Sequence, residues 1–301
     1  YPFPVIYTGG VNPLLWRPLT GIASFDVPPY MFDLSPFLGV LTDGKVHNIS
    51  LTVRNNDKAG VWYLDAVLHA DLEPSVQFFS GSILHHTDGY PPVVVNKTNT
   101  SSETLFITEG HRTIHVVGQL THPQVTPRLF SVTHSLVAFN NNTLVGNPLQ
   151  ISTGWMHSTS TSKQWSSGDN RTHYPLEVVR DSWFPYFVSD NSTQNKQTFQ
   201  IGPTEVNYSR IVGIRVEESK EKSYEISVMS NIRATALYNR SLTNHSLAYK
   251  ERGTSQEASE LRVGRTAAPC YSRSLTAANG YTTSSQNTSE DCNWQLAPMG
   301  L

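Results

Sequence analysis

The chain has 301 residues, with 22 Lys and Arg against 24 Asp and Glu, a formal net charge of −2, and 38% hydrophobic and 10% aromatic residues. That length sets a prior of one or two domains, and the apolar share supports a core and excludes a disordered composition. Near-neutral charge without a basic cluster argues against nucleic acid, and no apolar run approaches the length that crosses a bilayer as a helix.

The opening YPFPVIYTGG has no Met and no signal-type apolar core. Pro2 and Pro4 alternate with Phe3, Val5 and Tyr7, as in an edge strand. A domain seldom opens so abruptly. The chain is expected to be the C-terminal part of a longer, processed precursor; a truncation unrelated to processing is the alternative.

NPLLWRPLTGIASFDVPPY, residues 12–30, is too irregular for an ordinary strand and too apolar for an ordinary surface loop. Arg17 carries a planar fork of donors suited to a carboxylate or a developing oxyanion. Trp16 offers a flat apolar face of the kind that stacks on a sugar ring. Asp26 precedes Val27-Pro28-Pro29, which hold its backbone extended. A braced Arg, Trp and Asp make a preorganised site. From spacing alone, the simpler reading is an ion pair between Arg17 and Asp26, with Trp16 in the core.

DLSPFLGVLTDGK (33–45) reads as one or two helical turns, with Ser35 as N-cap, Pro36 at the first helical position and Gly44 as the stop. KVHNISLTVR (45–54) alternates: His47, Ile49, Leu51 and Val53 face one way and Asn48, Ser50, Thr52 and Arg54 the other. VWYLDAVLHADL (61–72) alternates too, with Trp62 and Leu64 on one face and Asp65 and His69 on the other. NNDKAG between them reads as a hairpin loop. A soft boundary falls between 73 and 100, where DGYPPVVVNKTNTSSE is the most linker-like stretch. Strand patterns resume in TLFITEG, HRTIHVVGQLTH, RLFSVTHSLVAFN, TFQIG, RIVGIRVEE and SYEISVMSNI, with turn chemistry in NNNT (140–143) and SSGDN (166–170). GWMHSTSTSKQWSSGDNRTH (154–173) is polar and reads as an ordered loop. Strands at short spacing without intervening helices predict an all-β fold of antiparallel sandwich or barrel-like sheets.

N-x-Ser/Thr acceptors stand at Asn48, Asn96, Asn99, Asn141, Asn170, Asn191, Asn207, Asn239, Asn244 and Asn287. Each asks for a surface position. Cys270 and Cys292 would close one short loop. With the sequons, a disulfide is the better reading than two free thiols, and a secreted, vacuolar or other secretory-pathway location follows.

The common catalytic signatures are missing: no HExxH, GxSxG, P-loop or GxGxxG after a strand. His85 and His86 adjoin Asp88, but adjacent residues on a strand face opposite ways, so an exposed loop is the better reading. His111 and His115 would lie ~13 Å apart on a strand, beyond a shared metal, and Asp65 and His69 fail the same test as a direct pair. No metal is assigned.

YPFPVIYTGGVNPLLWRPLTGIASFDVPPY, followed by DLSPFLGVLTDGK and VWYLDAVLHADLE, closely resembles the plant and fungal peptide:N-glycanase A family (peptide-N4-(N-acetyl-β-glucosaminyl)asparagine amidase A). The likeness is dense over residues 1–73 and looser afterwards, with counterparts for GWMHSTSTS and the Cys270–Cys292 loop. It implies hydrolysis of the amide between Asn and the first GlcNAc of an N-glycan, giving Asp and a glycosylamine, at acidic pH and with no metal or cofactor. It implies two jelly rolls with a site at their junction. Residues 1–80 would be the second half of the second jelly roll, completed by an upstream chain of the same precursor, and 81–301 a further antiparallel β domain. The substrate would be an N-glycopeptide or glycoprotein, with no nucleic acid or membrane partner. In this reading Arg17 and Asp26 are the catalytic candidates, and Trp16, Trp62 and Asp65 bind substrate. The general base has no candidate here. Two rivals stay open: a non-catalytic glycan-binding β-sandwich, and a glycoside hydrolase with two carboxylates flanking the bond.

Overall fold

The computed structural model describes residues 13–22, 31–51, 63, 65–71, 79–87, 94–123, 125–146, 149–166, 176–194, 198–219, 222–241, 250–264 and 271–288. Among the described residues, twelve strands form one antiparallel sheet: β1 (Ser80–His86), β2 (Val94–Asn99), β3 (Glu103–His122), β4 (Val125–Val145), β5 (Leu149–Ser166), β6 (Leu176–Asp190), β7 (Ser192–Gln194), β8 (Thr198–Ser219), β9 (Lys222–Ser241), β10 (Lys250–Gly264), β11 (Tyr271–Ala278) and β12 (Tyr281–Thr288). Their order across the sheet is β1-β3-β4-β5-β6-β8-β9-β10-β11-β12, with β2 also on β3 and β7 also on β8. The fold is all-β and antiparallel, as the strand patterns predict. From β3 to β12 the main path follows the chain as a meander, so most partners are near in sequence.

Several expectations are corrected. NNNT is not a turn: Asn140 to Thr143 pair with Gly154 to Ile151 on one side and Thr108 to Leu105 on the other, and the chain turns later, at Gly146 with φ +58°. Pairing on both sides satisfies the amides that Asn and Thr would otherwise satisfy in a turn. The polar run from Gly154 is strand β5 as far as Ser166, because it pairs with long neighbours on both sides, β4 and β6. His85 and His86 lie in β1, not in a loop. The linker-like stretch contributes β2.

The expected strand at 45–54 is not formed over its described part: residues 46–51 are irregular, and Val46, Ile49 and Leu51 are exposed. Residues 65–71 are likewise irregular, with Tyr63, Val67 and Leu68 exposed. Alternation makes a strand only where a partner edge is available, and none of the described strands pairs here. The NNDKAG loop lies outside the described residues.

The helical turns at 33–45 do form, as a 3-10 turn over Ser35–Phe37 running into α1 (Leu38–Leu41). Ser35 is not the cap. The Asp33 carboxylate accepts the Ser35 amide at 2.9 Å, so the preceding acid holds the free N–H. At the other end Thr42 donates from both backbone and hydroxyl to the Leu38 carbonyl, and Gly44 takes φ +79°. Pro36 is buried, and its carbonyl lies directly over Gly118 of β3, where an added Cβ would meet it at 1.7 Å. Gly81 of β1 makes a similar approach beside Gly39 and the Gln119 carbonyl. Glycine is required at both strand positions because backbone packs on backbone.

Residues on alternate positions line two faces. One face carries the core: Leu136 of β4, Met156 of β5, Phe184 of β6, and Ile232, Ala234 and Ala236 of β9 pack with Leu15 and Trp16. Ala138, Tyr186, Val188 and Ala258 border them. Residues 13–22 and 35–41 therefore lie on the same inner face, over different strands.

Candidate functional site

Residues 13–16 form a 3-10 turn, PLLW, whose last two side chains plug the inner face. Leu15 is fully buried and Trp16 is 4% exposed. Arg17 comes next and is exposed. The turn separates two tasks: the apolar pair anchors the backbone, and the guanidinium is delivered to solvent from a fixed base. Gly21 is buried and Ile22 packs against the same cluster, so the segment is held on both sides of Arg17. Trp16 gives its ring to the core, which agrees with the simpler reading of its spacing and leaves no free face for a sugar. Asp26 and Trp62 lie outside the described residues, as do Cys270 and Cys292. Asp65 is exposed, and its carboxylate accepts the neighbouring Ala66 amide at 2.8 Å. His69 is exposed as well.

A pair that sequence reasoning passed over stands in the turn after α1. The Asp43 carboxylate meets His47 Nε2 at 2.7 Å, accepts the Lys45 amide at 2.9 Å, and lies 3.4 Å from Lys45 Nζ. The hydrogen bond to His47, then that from the Lys45 amide, lowers its pKa from 3.8 to about 2. The spacing i, i+4 around Gly44 was the available signal; a strand beginning at Lys45 would have pulled the two apart.

The outer face of the sheet holds a second cluster. His157 Nε2 meets Asp181 Oδ1 at 2.8 Å, and Thr159 Oγ1 donates to the same oxygen at 2.7 Å. Trp183 meets His157 edge-on at 5.7 Å and stacks with Trp155 at 5.2 Å; Trp155 in turn stacks with Phe139 at 6.4 Å. These contacts come from register, since Phe139 pairs with Trp155 and His157 with Trp183. A single sequence does not display register between strands. At the β1–β3 edge, His85 and His115 rings lie 5.1 Å apart, a contact across strands rather than along one. Among the described residues, no three His, Cys, Asp or Glu side chains gather as a metal site. No helix among them is long and apolar enough to cross a membrane.

Burial sets the tone of the inner face. His134 is held below its ordinary value of 6.5, first by burial and then by the positive charge of Arg112. It lies 6.3 Å from the Phe32 ring and 3.3 Å from the Ser158 hydroxyl. Burial also raises the Tyr186 phenol, against a hydrogen bond with Ser152.

The acceptor asparagines differ in setting. Asn48, Asn96, Asn99, Asn207 and Asn287 are exposed, while Asn141 and Asn191 are half-buried. Asn239 lies in β9, and Asn170 and Asn244 lie outside the described residues.

Residues 1–88 match the family described as peptide N-acetyl-beta-D-glucosaminyl asparaginase amidase A. Over 96 residues, 32% of the chain, the sequence is 46% identical to peptide-N4-(N-acetyl-beta-glucosaminyl)asparagine amidase A of Prunus dulcis. That stretch covers 16% of the almond protein's length. No solved structure matches the chain. The matched residues contain the Trp16–Arg17 turn, the Asp43–His47 pair and the irregular segment with Asp65, so the similarity to that family rests on this first part of the chain.

Proposed function

We propose that the chain is part of a peptide:N-glycanase, a hydrolase of the amide joining the first GlcNAc of an N-glycan to Asn. The observation that carries this is the 46% identity to the amidase of Prunus dulcis over 96 residues, beside a family match over residues 1–88, which include Arg17. Water's oxygen bonds to the side-chain amide carbon, the C–N bond breaks, and nitrogen leaves on the sugar. Asn becomes Asp, and the glycosylamine decays to free sugar and ammonia.

Arg17 donates to the carbonyl oxygen as negative charge develops there, where a preorganised donor acts most strongly. Trp16 and Leu15 position it through the core. Asp26 orients the guanidinium, and Asp65 and Trp62 contact the glycan. The carboxylate or imidazole that activates water is unassigned.

The exposed apolar side chains of Val46, Ile49, Leu51, Tyr63, Val67 and Leu68 support the further reading that an upstream chain of the same precursor covers this segment. So many large exposed apolar side chains in one short segment are unusual on a finished surface. It also supports a junction site completed by that chain, with residues 1–80 as part of a jelly roll and 81–301 as an additional β domain. Sequon density and the two cysteines support a secretory-pathway compartment.

The test is to incubate the full precursor with a short N-glycopeptide in acidic buffer and read the peptide mass. Asp in place of glycosylated Asn supports the amidase. An intact glycopeptide, or one trimmed but still carrying sugar on Asn, overturns it in favour of a glycan-binding domain or a glycoside hydrolase.

A further inference from the structure

The outer face of β4–β6 carries an apolar strip, Phe139, Trp155 and Trp183, on a sheet face otherwise rich in hydroxyls. All three rings are half-buried. Asn141 lies two residues from Phe139 on the same strand, so both side chains point to this face about 7 Å apart. Thr143, the third residue of the acceptor triplet, is the next on that face, and its hydroxyl donates to Asn141 Oδ1 at 3.3 Å. Directly opposite Asn141 stands Thr153, beside Trp155. Asn141 Nδ2, the atom that bears an N-glycan, is not among the buried unpaired polar atoms of the described residues. Its neighbour Asn142 points the other way, and there the amide oxygen is buried.

The geometry points to Asn141 as an N-glycosylation site whose first GlcNAc lies against Phe139 and Trp155, so that the chain's own glycan covers the aromatic strip. A pyranose presents an apolar C–H face and a hydroxyl rim. Aromatic rings gain dispersion contact and lose water against the first. Thr153 and Thr143 stand where the rim needs partners. Of the five exposed acceptors, Asn48 lies in an irregular stretch, Asn96 and Asn99 on β2 and Asn287 on β12. Asn207 pairs with Phe187 and Arg233. Among the described acceptors, Asn141 stands beside the stacked aromatic strip on its own face. The inference does not depend on the amidase reading.

The experiment uses the full chain secreted from a eukaryotic host. Glycopeptide mass spectrometry reads occupancy at Asn141, and thermal unfolding compares wild type, Asn141→Gln and Thr143→Ala, each in the wild-type and the Phe139→Leu background. Leu keeps an apolar side chain without the ring, which protects folding. The expected result is an occupied Asn141, a loss of about 2–4 °C in Tm for either acceptor substitution with Phe139 present, and little loss in the Phe139→Leu background. An unoccupied Asn141, or an equal Tm loss with and without the Phe139 ring, overturns the proposal.

Discussion

The segment that the family match covers and the sheet that follows it are built on opposite principles. In the described part of 94–288 each long strand pairs with neighbours close in sequence, and Phe184, Met156 and Ile232 are buried on the sheet face that Leu15 and Trp16 cover. The described residues of 13–71 form short turns and irregular chain, pinned by Leu15, Trp16 and Pro36 and leaving Val46 and Tyr63 almost fully exposed. Yet the likeness to a known enzyme sits in the less self-sufficient part. A meander stabilises itself through local pairing and tolerates many sequences. A segment that presents a guanidinium from a buried anchor constrains its residues one by one.

The first way to break this contrast is Leu15→Ala, which removes the best buried anchor of the first region and is expected to cost about 2–5 kcal/mol. Chemical unfolding measures it; a change below 1 kcal/mol, as for surface positions, would show that the segment does not depend on the sheet. Arg17→Ala sharpens the contrast from the other side. In the complete enzyme it is expected to lower kcat on a glycopeptide about 10²–10³-fold, while stability, as at other exposed positions, moves by less than about 0.5 kcal/mol. Unchanged kcat in a folded protein removes the donor role.

His134 reports on the contact between the two regions, beside Phe32. Its folded pKa is depressed, so below 6.5 the unfolded chain binds a proton that the folded chain resists. This contribution to stability is full above 6.5 and is lost as pH falls, with a slope of at most about 1.4 kcal/mol per pH unit, until the folded imidazole is protonated too. Denaturant titrations of wild type and His134→Gln between neutral and acidic pH check it: the substitution is expected to flatten the slope. The smallest effect belongs to Ile49→Ser, expected to change the stability of this chain alone by less than about 0.5 kcal/mol. A larger loss in the full precursor would mark the surface that further polypeptide covers.

How much was legible follows the same division. Periodicity disclosed β3, β4, β8 and β9, because alternation over many residues is a property of one strand. It misplaced residues 46–51, where the same alternation has no partner edge, and β5, where small hydroxyls read as loop. Asn279-Gly280, with positive φ at both residues, closes the β11–β12 hairpin, a turn that the sequence reading did not single out. Arg17 was visible as a side-chain type in a braced loop, and Trp16 as core or platform with spacing favouring core.

By itself, the sequence determined the all-β class, the helical turns ending before Gly44, and the resemblance of residues 1–73, since these depend on residue type and local order. Tertiary structure alone decided that Trp16 is buried while Arg17 is delivered outward, that Asp43 meets His47, and that Phe139, Trp155 and Trp183 form one strip beside Asn141. The first and the last depend on which strand lies next to which and in what register, which one chain read in order does not carry; the second follows from the turn at Gly44, where the chain bends instead of extending.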